Sequence, residues 1–173
     1  MDYFYKESLP YSANLSKGIS LLKEMMKYAI DDDGKNGKVS LQKEIRHIQN
    51  FIEINQLRFD GRLQIFFEAS GVSEKHQIMP LVLITFVENA FKYGELLDKN
   101  SPVTINLEMR NDEMFFSTFN KIRLGPTEES EGIGIANTEK RLSLVYLNNY
   151  WLNIHHQHPH YEMKLYLNLA YSE

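Results

Sequence analysis

Cysteine is absent from the 173 residues of the sequence, and so is any excess of basic residues. Without cysteine there is neither a disulfide framework nor a thiolate ligand for a metal ion. The 19 Lys and Arg residues stand against 23 Asp and Glu residues, which gives a net charge of −4. Because a protein that binds the phosphate backbone normally carries a basic excess, nucleic acid is not an expected partner.

Long hydrophobic runs are also lacking. The longest run, Ile78–Val87, has ten residues and contains Pro80 and Thr85, whereas a helix that spans a bilayer needs about 20 apolar residues. Residues 1–5 lack the basic start and the apolar stretch of a signal peptide. We therefore expect a soluble, cytoplasmic chain that makes no membrane contact of its own.

The apolar pattern predicts an α/β fold with helices at its N-terminus. Recurring apolar residues predict helices over residues 12–30 and 41–57, the second capped by Ser40, on either side of a polar turn at 31–38. The other predicted elements are strand 63–69, helix 80–93, strands 103–110 and 113–120 joined by a hairpin turn, helix 133–146, and strands 151–155 and 162–169. Because several strands are adjacent along the chain, a mixed sheet is favoured over a purely parallel, doubly wound one.

The predicted helix 80–93 carries polar groups on one side. On a helical wheel, a single arc holds Thr85, Glu88, Asn89 and Lys92, and apolar residues occupy the other side. A carboxylate, an amide oxygen and an ammonium are the groups that a site for magnesium and a polyphosphate uses. The alternative is a solvated helix face with a Glu–Lys pair four residues apart. Gly94 is predicted to end the helix in a left-handed conformation.

A glycine pair precedes the predicted helix 133–146. Gly132 and Gly134 form a G-x-G segment after a polar loop, and glycines at the start of a helix leave backbone N–H groups open to an anion. The third glycine of a dinucleotide-binding fingerprint is missing, so that function is not indicated. Taken alone, a flexible loop end is the alternative interpretation of this segment.

Two segments together resemble motifs of sensor histidine kinases. Residues Glu88–Gly94 resemble the N box of these kinases, and Gly132–Leu142 resembles their second glycine box. Residues 146–150 and the segment 41–59 resemble the LytS type of the family. The resemblance covers about residues 11–169. It implies a two-layer α/β sandwich of the GHKL (Bergerat) ATPase type, with a mixed sheet and preceding N-terminal helices, in which ATP lies between the N-box helix and a lid loop.

The resemblance implies a function and a set of residue roles. The function is histidine protein kinase activity, in which the γ-phosphoryl group of ATP passes to a histidine and then to a response regulator. Asn89 is implied as the Mg²⁺ ligand and as a catalytic residue, and Glu88 as the catalytic residue that helps to activate the attacking imidazole. Contacts with bound ATP are implied for Asn89, Lys92, Tyr93, Asn120, Gly132, Gly134, Asn137 and Arg141.

The sequence departs from the family pattern around the adenine. The adenine-binding box normally has an aspartate followed by spaced glycines, whereas here Asn120 takes its place and the glycines are missing. The Asn120 carbonyl still accepts from the adenine amine, but without the charge that adds about 1–2 kcal/mol, so we expect an ATP affinity about tenfold lower. The predicted lid, 121–131, ends in acidic residues that repel phosphate unless they point to solvent. An inactive GHKL interaction module is the alternative function, and a GHKL ATPase of the chaperone or topoisomerase kind matches the linker helix less well.

The phosphoacceptor histidine of the family precedes the first predicted helix, and His47 does not match its motif. We therefore expect the chain to be the cytoplasmic, C-terminal part of a membrane sensor and to be inactive alone. Residues 1–58 are expected to hold the end of the dimerisation region and the linker helix, and residues 59–173 the ATP-binding domain. The expected partners are the kinase's own dimerisation and phosphoacceptor region, in a homodimer, and a response regulator.

Histidines cluster near the C-terminus. Three of them, His156, His158 and His160, alternate along the chain and could face one side of an extended segment as Zn²⁺ ligands. Pro159 interrupts strand pairing, and the segment lies at a predicted hairpin. A surface turn is therefore the preferred interpretation, and a metal site is the alternative.

Overall fold

The computed structural model describes residues 1–30, 37–124 and 133–171. Its helices are α1 (Asp2–Ser8), α2 (Ala13–Ile30), α3 (Leu41–Arg58), α4 (Val82–Tyr93), α5 (Ile133–Tyr146) and a final 3-10 turn (Leu169–Tyr171). Its strands are β1 (Val39–Ser40), β2 (Ile65–Ser70), β3 (Gln77–Ile78), β4 (Val103–Arg110), β5 (Glu113–Lys121), β6 (Tyr150–Gln157) and β7 (His160–Asn168).

Five strands form one mixed sheet in the order β2-β4-β5-β7-β6. β2 and β4 run parallel, and the other neighbouring pairs are antiparallel. Between β4 and β5 the chain turns at Asn111, whose φ of 57° is a conformation that asparagine tolerates better than most residues. A separate two-stranded ladder pairs β1 with β3, with Val39 opposite Ile78. The mixed α/β fold predicted from the order of the elements is confirmed.

Helices cover one face of this sheet. Along β4 and β5 every second residue is buried, as expected for strands with one face against a core. That face packs against α4, where the ring centroids of Phe86 and Phe116 lie 6.5 Å apart. α5 adds the buried side chains of Leu142 and Tyr146 to the same core. The result is a two-layer sandwich whose apolar core lies between sheet and helices.

The helix α3 belongs to the same packed unit. The Ser40 side chain caps it by accepting from the Gln42 backbone N–H at 3.2 Å, as predicted. Leu41 and Ile48 are completely buried in the core. The rings of Phe51 and Phe91 meet edge to face, with centroids 4.9 Å apart, and so join α3 to α4. The segment that carries Ser40 and α3 therefore fixes one side of α4.

The helix α2 packs on α3 but leaves its apolar stripe outside. Leu21 is buried, whereas the apolar side chains of Leu15, Leu22 and Met26 are 53%, 42% and 50% exposed. These three side chains follow one another at spacings of seven and four residues, which is the seam spacing of a coiled coil. The described part of the chain does not bury this seam.

Some features of the fold differ from the sequence prediction. The apolar pattern does not predict α1, β1 or β3, and the last two have only two residues each. The predicted left-handed end of α4 is wrong, because Gly94 has φ −77° and ψ 149°. Glycine is required there for close approach: a Cβ at this position would lie 2.3 Å from the Ala90 carbonyl oxygen. Of the predicted turn 31–38 and the predicted lid 121–131, residues 31–36 and 125–131 lie outside the described residues.

Candidate functional site

The open side of α4 carries the predicted polar residues. Glu88 and Lys92 are exposed and Asn89 is half-buried, while the opposite side of the helix is buried in the core. Although the Glu88 side chain is exposed overall, partial burial of its carboxyl group raises its pKa. A carboxyl group whose pKa is raised is better matched to proton transfer near neutral pH. The structure therefore brings a carboxyl group, an amide and an ammonium together on one helix face.

The Asn89 amide is held by its own helix. Its Nδ2 donates to the Thr85 carbonyl oxygen at 2.7 Å, which leaves the amide oxygen as the group able to bind a cation. The start of α5 lies beside the same turn: the Thr138 hydroxyl donates to the Thr85 hydroxyl at 3.4 Å, and a Cβ at Gly134 would lie 3.6 Å from the Thr85 methyl group. Asn89 and the second glycine of the G-x-G segment are thus both placed around Thr85.

Asn120 lies at the other end of α4, against Gly94. A Cβ at Gly94 would lie 3.3 Å from the Asn120 Cβ, and Asn120 is completely buried. Its Nδ2 donates to the Lys121 carbonyl oxygen at 3.2 Å, but its Oδ1 has no hydrogen-bond partner among the described residues. A buried carbonyl without a donor costs about 1–3 kcal/mol. This oxygen is therefore a vacant acceptor at the end of the site.

Lys92 and Tyr93 complete the C-terminal end of the helix face. The Lys92 ammonium lies 5.6 Å from the centroid of the Tyr93 ring, within cation–π range. The Tyr93 carbonyl accepts from the Arg123 backbone N–H at 2.8 Å, which ties the segment that follows β5 to the end of α4. The positive charge of Lys92 and the aromatic ring of Tyr93 thus lie next to Asn89.

The remaining predicted contacts are placed differently. Arg141 donates from Nη2 to the Pro80 carbonyl oxygen at 2.9 Å, at the start of α4. Asn89 lies about 10 Å along the helix from its first residue, Val82, so the structure does not bring Arg141 to Asn89. Asn137 is exposed on α5, and Gly132 lies outside the described residues.

One buried residue that contacts the start of α4 is not predicted from the sequence. Glu44 of α3 is completely buried, and its Oε1 and Oε2 accept from the backbone N–H groups of Leu81 at 2.6 Å and Leu83 at 3.1 Å. The Tyr28 hydroxyl of α2 also donates to Oε1. Burial raises the pKa of the Glu44 carboxyl, and these three donors oppose the shift. A glutamate among the apolar positions of α3 is a sign of this contact in the sequence.

The C-terminal histidines lie on the β6–β7 hairpin. His155, His156 and His158 are exposed, and the ring of His160 stacks on Phe119 with centroids 5.0 Å apart. β6 and β7 pair up to Gln157 and His160, so Pro159 falls in the turn between them. Within residues 1–30, 37–124 and 133–171, no three metal-binding side chains are grouped to hold an ion. The helices in these ranges lack the combination of length and hydrophobicity that a bilayer-spanning helix needs.

The known sequences similar to this chain are those of histidine kinases and sensor proteins. The Histidine kinase family matches over residues 6–63. The sensor protein LytS of Staphylococcus epidermidis is 22% identical over 134 residues, which make up 69% of this chain and 23% of that protein. The sensor histidine kinase BtsS of Escherichia coli is 27% identical over 119 residues, or 67% of this chain and 21% of that protein. The chain thus spans about a fifth of the length of these relatives.

Solved structures share the fold. The catalytic domain of histidine kinase ThkA has 15% sequence identity and a TM-score of 0.56, and the match covers 76% of this chain and 96% of that one. The Acinetobacter baumannii histidine kinase AdeS has 12% identity and a TM-score of 0.53, with 95% and 83% covered. The two-layer fold is therefore that of histidine kinase catalytic domains, the GHKL class. The family match and the sequence relatives make this chain similar to sensor histidine kinases, including those of the LytS type.

Proposed function

We propose that this chain is the ATP-binding catalytic region of a two-component sensor histidine kinase. In the reaction, the γ-phosphoryl group of MgATP passes to a histidine of the dimerisation region and then to an aspartate of a response regulator. The observation that carries the proposal is the placement of Asn89 and Gly134 around Thr85, with the vacant acceptor of Asn120 at the other end of the same helix. Phosphoryl transfer needs mainly positioning and charge neutralisation, which such an arrangement supplies.

The residues present fit a magnesium-bound nucleotide. The Asn89 amide oxygen is a suitable ligand for Mg²⁺, and Lys92 would pair with a phosphate group. The buried Asn120 Oδ1 lacks a donor among the described residues, and the exocyclic amine of adenine would supply one. Glu88, with its raised pKa, would orient and help deprotonate the attacking imidazole. The ring of Tyr93 would lie beside the nucleotide.

Three further contacts are part of the proposal. Gly132 and Gly134 would give the lid its hinge, and Asn137 would face the phosphates from the exposed side of α5. Arg141 would reach the nucleotide only by leaving the Pro80 carbonyl oxygen, so we give it the weakest role. Mg²⁺, when bound, would neutralise charge on the transferred phosphoryl group.

We also propose how the chain belongs to a longer kinase. Residues 1–58 would hold the end of the dimerisation region and the linker helix, and residues 59–173 the ATP-binding domain. The exposed seam of α2 would pack on a second copy. A solved structure similar to this chain contains histidine kinase ThkA in complex with the response regulator protein TrrA, which supports a response regulator as partner. The chain would form the cytoplasmic part of a membrane sensor.

Thermal unfolding with and without MgATP tests nucleotide binding. A ligand at about 100 times its Kd stabilises a protein by about 2.7 kcal/mol, which raises Tm by roughly 5–10 °C for a chain of this size. Asn89→Ala should abolish most of the rise, whereas Asn153→Ala, at an exposed position of β6, should leave it unchanged. A wild-type Tm that does not move at several millimolar MgATP or MgADP would refute the proposal and favour a nucleotide-independent interaction module.

The variant Asn120→Ala tests whether Asn120 contributes to nucleotide binding or only to the stability of the fold. The Lys121 carbonyl oxygen, to which Asn120 donates, also accepts from the Glu95 backbone N–H at 2.7 Å and therefore keeps a partner in the variant. The variant also loses Oδ1, which is buried without a hydrogen-bond partner among the described residues, and with it the free-energy cost of that unsatisfied acceptor. We therefore expect the Tm of the free protein to change little while nucleotide affinity falls about tenfold. Loss of stability without loss of affinity would assign Asn120 a structural role only.

A further inference from the structure

We propose that Glu44 is a positioning residue for the nucleotide site, and that its hydrogen bond with Tyr28 couples α2 to that site. The proposal rests on the proposed function, because it concerns the same site on α4. It assigns no catalytic contact to Glu44. The carboxylate instead fixes the end of the helix on which Asn89, Glu88 and Lys92 lie, and Tyr28 connects that fixed point to the N-terminal helices.

The helix α4 has no cap of its own. Its N-cap position is occupied by Leu81, whose apolar side chain has no acceptor and whose φ of 61° lies in the left-handed region. The backbone N–H groups of Leu81 and Leu83 are instead bound by the two oxygens of Glu44, at 2.6 and 3.1 Å. A carboxylate at the N-terminus also interacts favourably with the helix dipole. A side chain of α3 thus accepts hydrogen bonds from backbone N–H groups at the start of α4, as the side chain of an N-cap residue would.

The segment that leads into α4 is held on several sides. The Tyr146 hydroxyl accepts from the Met79 backbone N–H at 3.1 Å, and Arg141 donates to the Pro80 carbonyl oxygen at 2.9 Å. These contacts and the two Glu44 bonds bring α3 and α5 together at one point. Because Glu44 is completely buried, water cannot replace the carboxylate if it moves away. The position of the helix start therefore depends on Glu44.

A shift at this point reaches Asn89. The helix is continuous from Val82 to Tyr93 and contains neither glycine nor proline, so it moves as a rigid rod. Asn89 follows Leu81 by eight residues, or about 12 Å, and a tilt of about 10° at Leu81 displaces it by about 2 Å. Displacements of that size are large for a group that positions a ligand. Glu44 therefore sets where the Asn89 amide lies.

Tyr28 connects this fixed point to α2. Its hydroxyl donates to Glu44 Oε1, and its ring packs on His47 of α3 with centroids 4.7 Å apart. α2 also carries the exposed seam of Leu22 and Met26. A movement of α2 along or around α3 would alter the Tyr28–Glu44 bond before it altered the core. By linkage, nucleotide bound on α4 should in turn steady α2 near Tyr28.

Tyr28→Phe tests the coupling with little change in packing. The variant keeps the ring contact with His47 and removes only the hydroxyl group. Tyr166→Phe is the matched control, since it deletes a Tyr–Glu hydrogen bond of 2.7 Å to Glu113 on the exposed face of the sheet. We expect Tyr28→Phe to weaken binding of a magnesium-bound, non-hydrolysable ATP analogue at least about fivefold by calorimetry. Glu44→Gln should weaken it further, and Tyr166→Phe should stay within about twofold.

The outcomes separate the two proposals. If the wild-type chain does not bind the analogue, the proposed function fails and the coupling fails with it. If the wild type binds and Tyr28→Phe binds equally well, the coupling is refuted while the proposed function stands. A lower Tm of Tyr28→Phe with unchanged affinity would also refute it, because the bond would then be structural only.

Hydrogen exchange supplies the reciprocal measurement. Addition of the analogue should slow exchange in the last turns of α2 in the wild type and in Tyr166→Phe, but not in Tyr28→Phe. If protection of α2 is the same in all three, Tyr28 does not transmit the effect. If Glu44→Gln does not fold, Tyr28→Phe alone decides the matter, because its far-UV circular dichroism shows whether the fold is kept.

Discussion

Replacement of Gly94 distinguishes two reasons for a glycine at the end of α4. A left-handed end would penalise Ala and tolerate Asn, because Asn adopts positive φ more readily. The structure instead has φ −77°, and a Cβ would lie 2.3 Å from the Ala90 carbonyl oxygen. Every side chain carries that Cβ, so Gly94→Ala and Gly94→Asn should be equally damaging. Equal losses of stability would show that the close contact, and not a left-handed conformation, requires glycine at position 94.

The expected cost follows from the distance. Cβ atoms essentially never come within 3.0 Å of a heavy atom outside their own and the adjacent residues, so at 2.3 Å the helix end and the chain after it must separate by about 0.7 Å. The neighbouring atom belongs to the backbone and cannot rotate away. Overpacking of this kind costs about 2–3 kcal/mol. At about 2–4 °C for each kcal/mol in a chain of this size, both variants should lower Tm by about 4–12 °C.

Gly61 is the matched control, because it has the positive φ that Gly94 lacks. Its φ is +71° and a Cβ there would meet nothing within 4 Å. Gly61→Ala should cost about 1–2 kcal/mol from conformation alone, and Gly61→Asn less. Thermal unfolding of the four variants, followed by circular dichroism, makes the comparison. If Gly94→Asn were clearly more stable than Gly94→Ala, the close-contact argument would be refuted, and a left-handed conformation at Gly94 would be the favoured explanation.

Three further predictions concern a buried hydroxyl, a buried imidazole and the exposed seam. Tyr146→Phe leaves the Met79 N–H without its acceptor, so we expect a loss of about 1–3 kcal/mol in urea unfolding. Burial lowers the pKa of His47 below its ordinary value of 6.5, so near this pH the unfolded state binds more protons than the folded state, and the free energy of unfolding decreases as the pH is lowered. His47→Gln should therefore make the fall in stability from pH 7.5 to 5.5 shallower. The double change Leu22→Glu and Met26→Glu should reduce self-association in sedimentation velocity while stability changes by about 0.5 kcal/mol or less.

Each of these has a control of the same chemistry. Tyr166→Phe removes an exposed hydroxyl and should cost much less than Tyr146→Phe; equal losses would contradict the argument from burial. His156→Gln, on the exposed hairpin, should leave the pH slope as it is, and an equal flattening would show that His47 is not the cause. Leu144→Glu, at a position of α5 that is 78% exposed, should leave self-association unchanged. Association insensitive to the α2 change would exclude the seam as the dimer contact.

The predicted elements that match best are those with continuous one-sided burial. β4 is predicted and observed over 103–110, and α5 over 133–146. In β4 the alternation of buried and exposed residues continues along the whole strand, so the pattern of side chains records the environment at every position. By contrast, β1 and β3 have two residues each, and their pairing requires Val39 to lie opposite Ile78. A pattern within either segment is too short to indicate that contact.

The site was predicted only in part for a related reason. The polar face of α4 follows from helical periodicity, and the roles of Asn89 and Gly134 follow from resemblance to a family. The placement of both around Thr85 is a tertiary fact, and so is the engagement of Arg141 with Pro80 at the far end of the helix. Spacing along the sequence gives the face on which a residue lies, but not which end of another helix it will meet.

Glu44 shows how a polar residue in an apolar pattern can be interpreted. It lies between Leu41, Ile45 and Ile48 on α3, where a carboxylate would be costly unless donors surround it. The donors that it finds, Leu81 and Leu83, come from the start of a helix that lacks a local cap. The two irregularities therefore explain each other: a buried carboxylate needs N–H groups, and an uncapped helix end offers them. A buried acid on one predicted helix and a missing cap on another, within one small domain, together predict a contact that neither predicts alone.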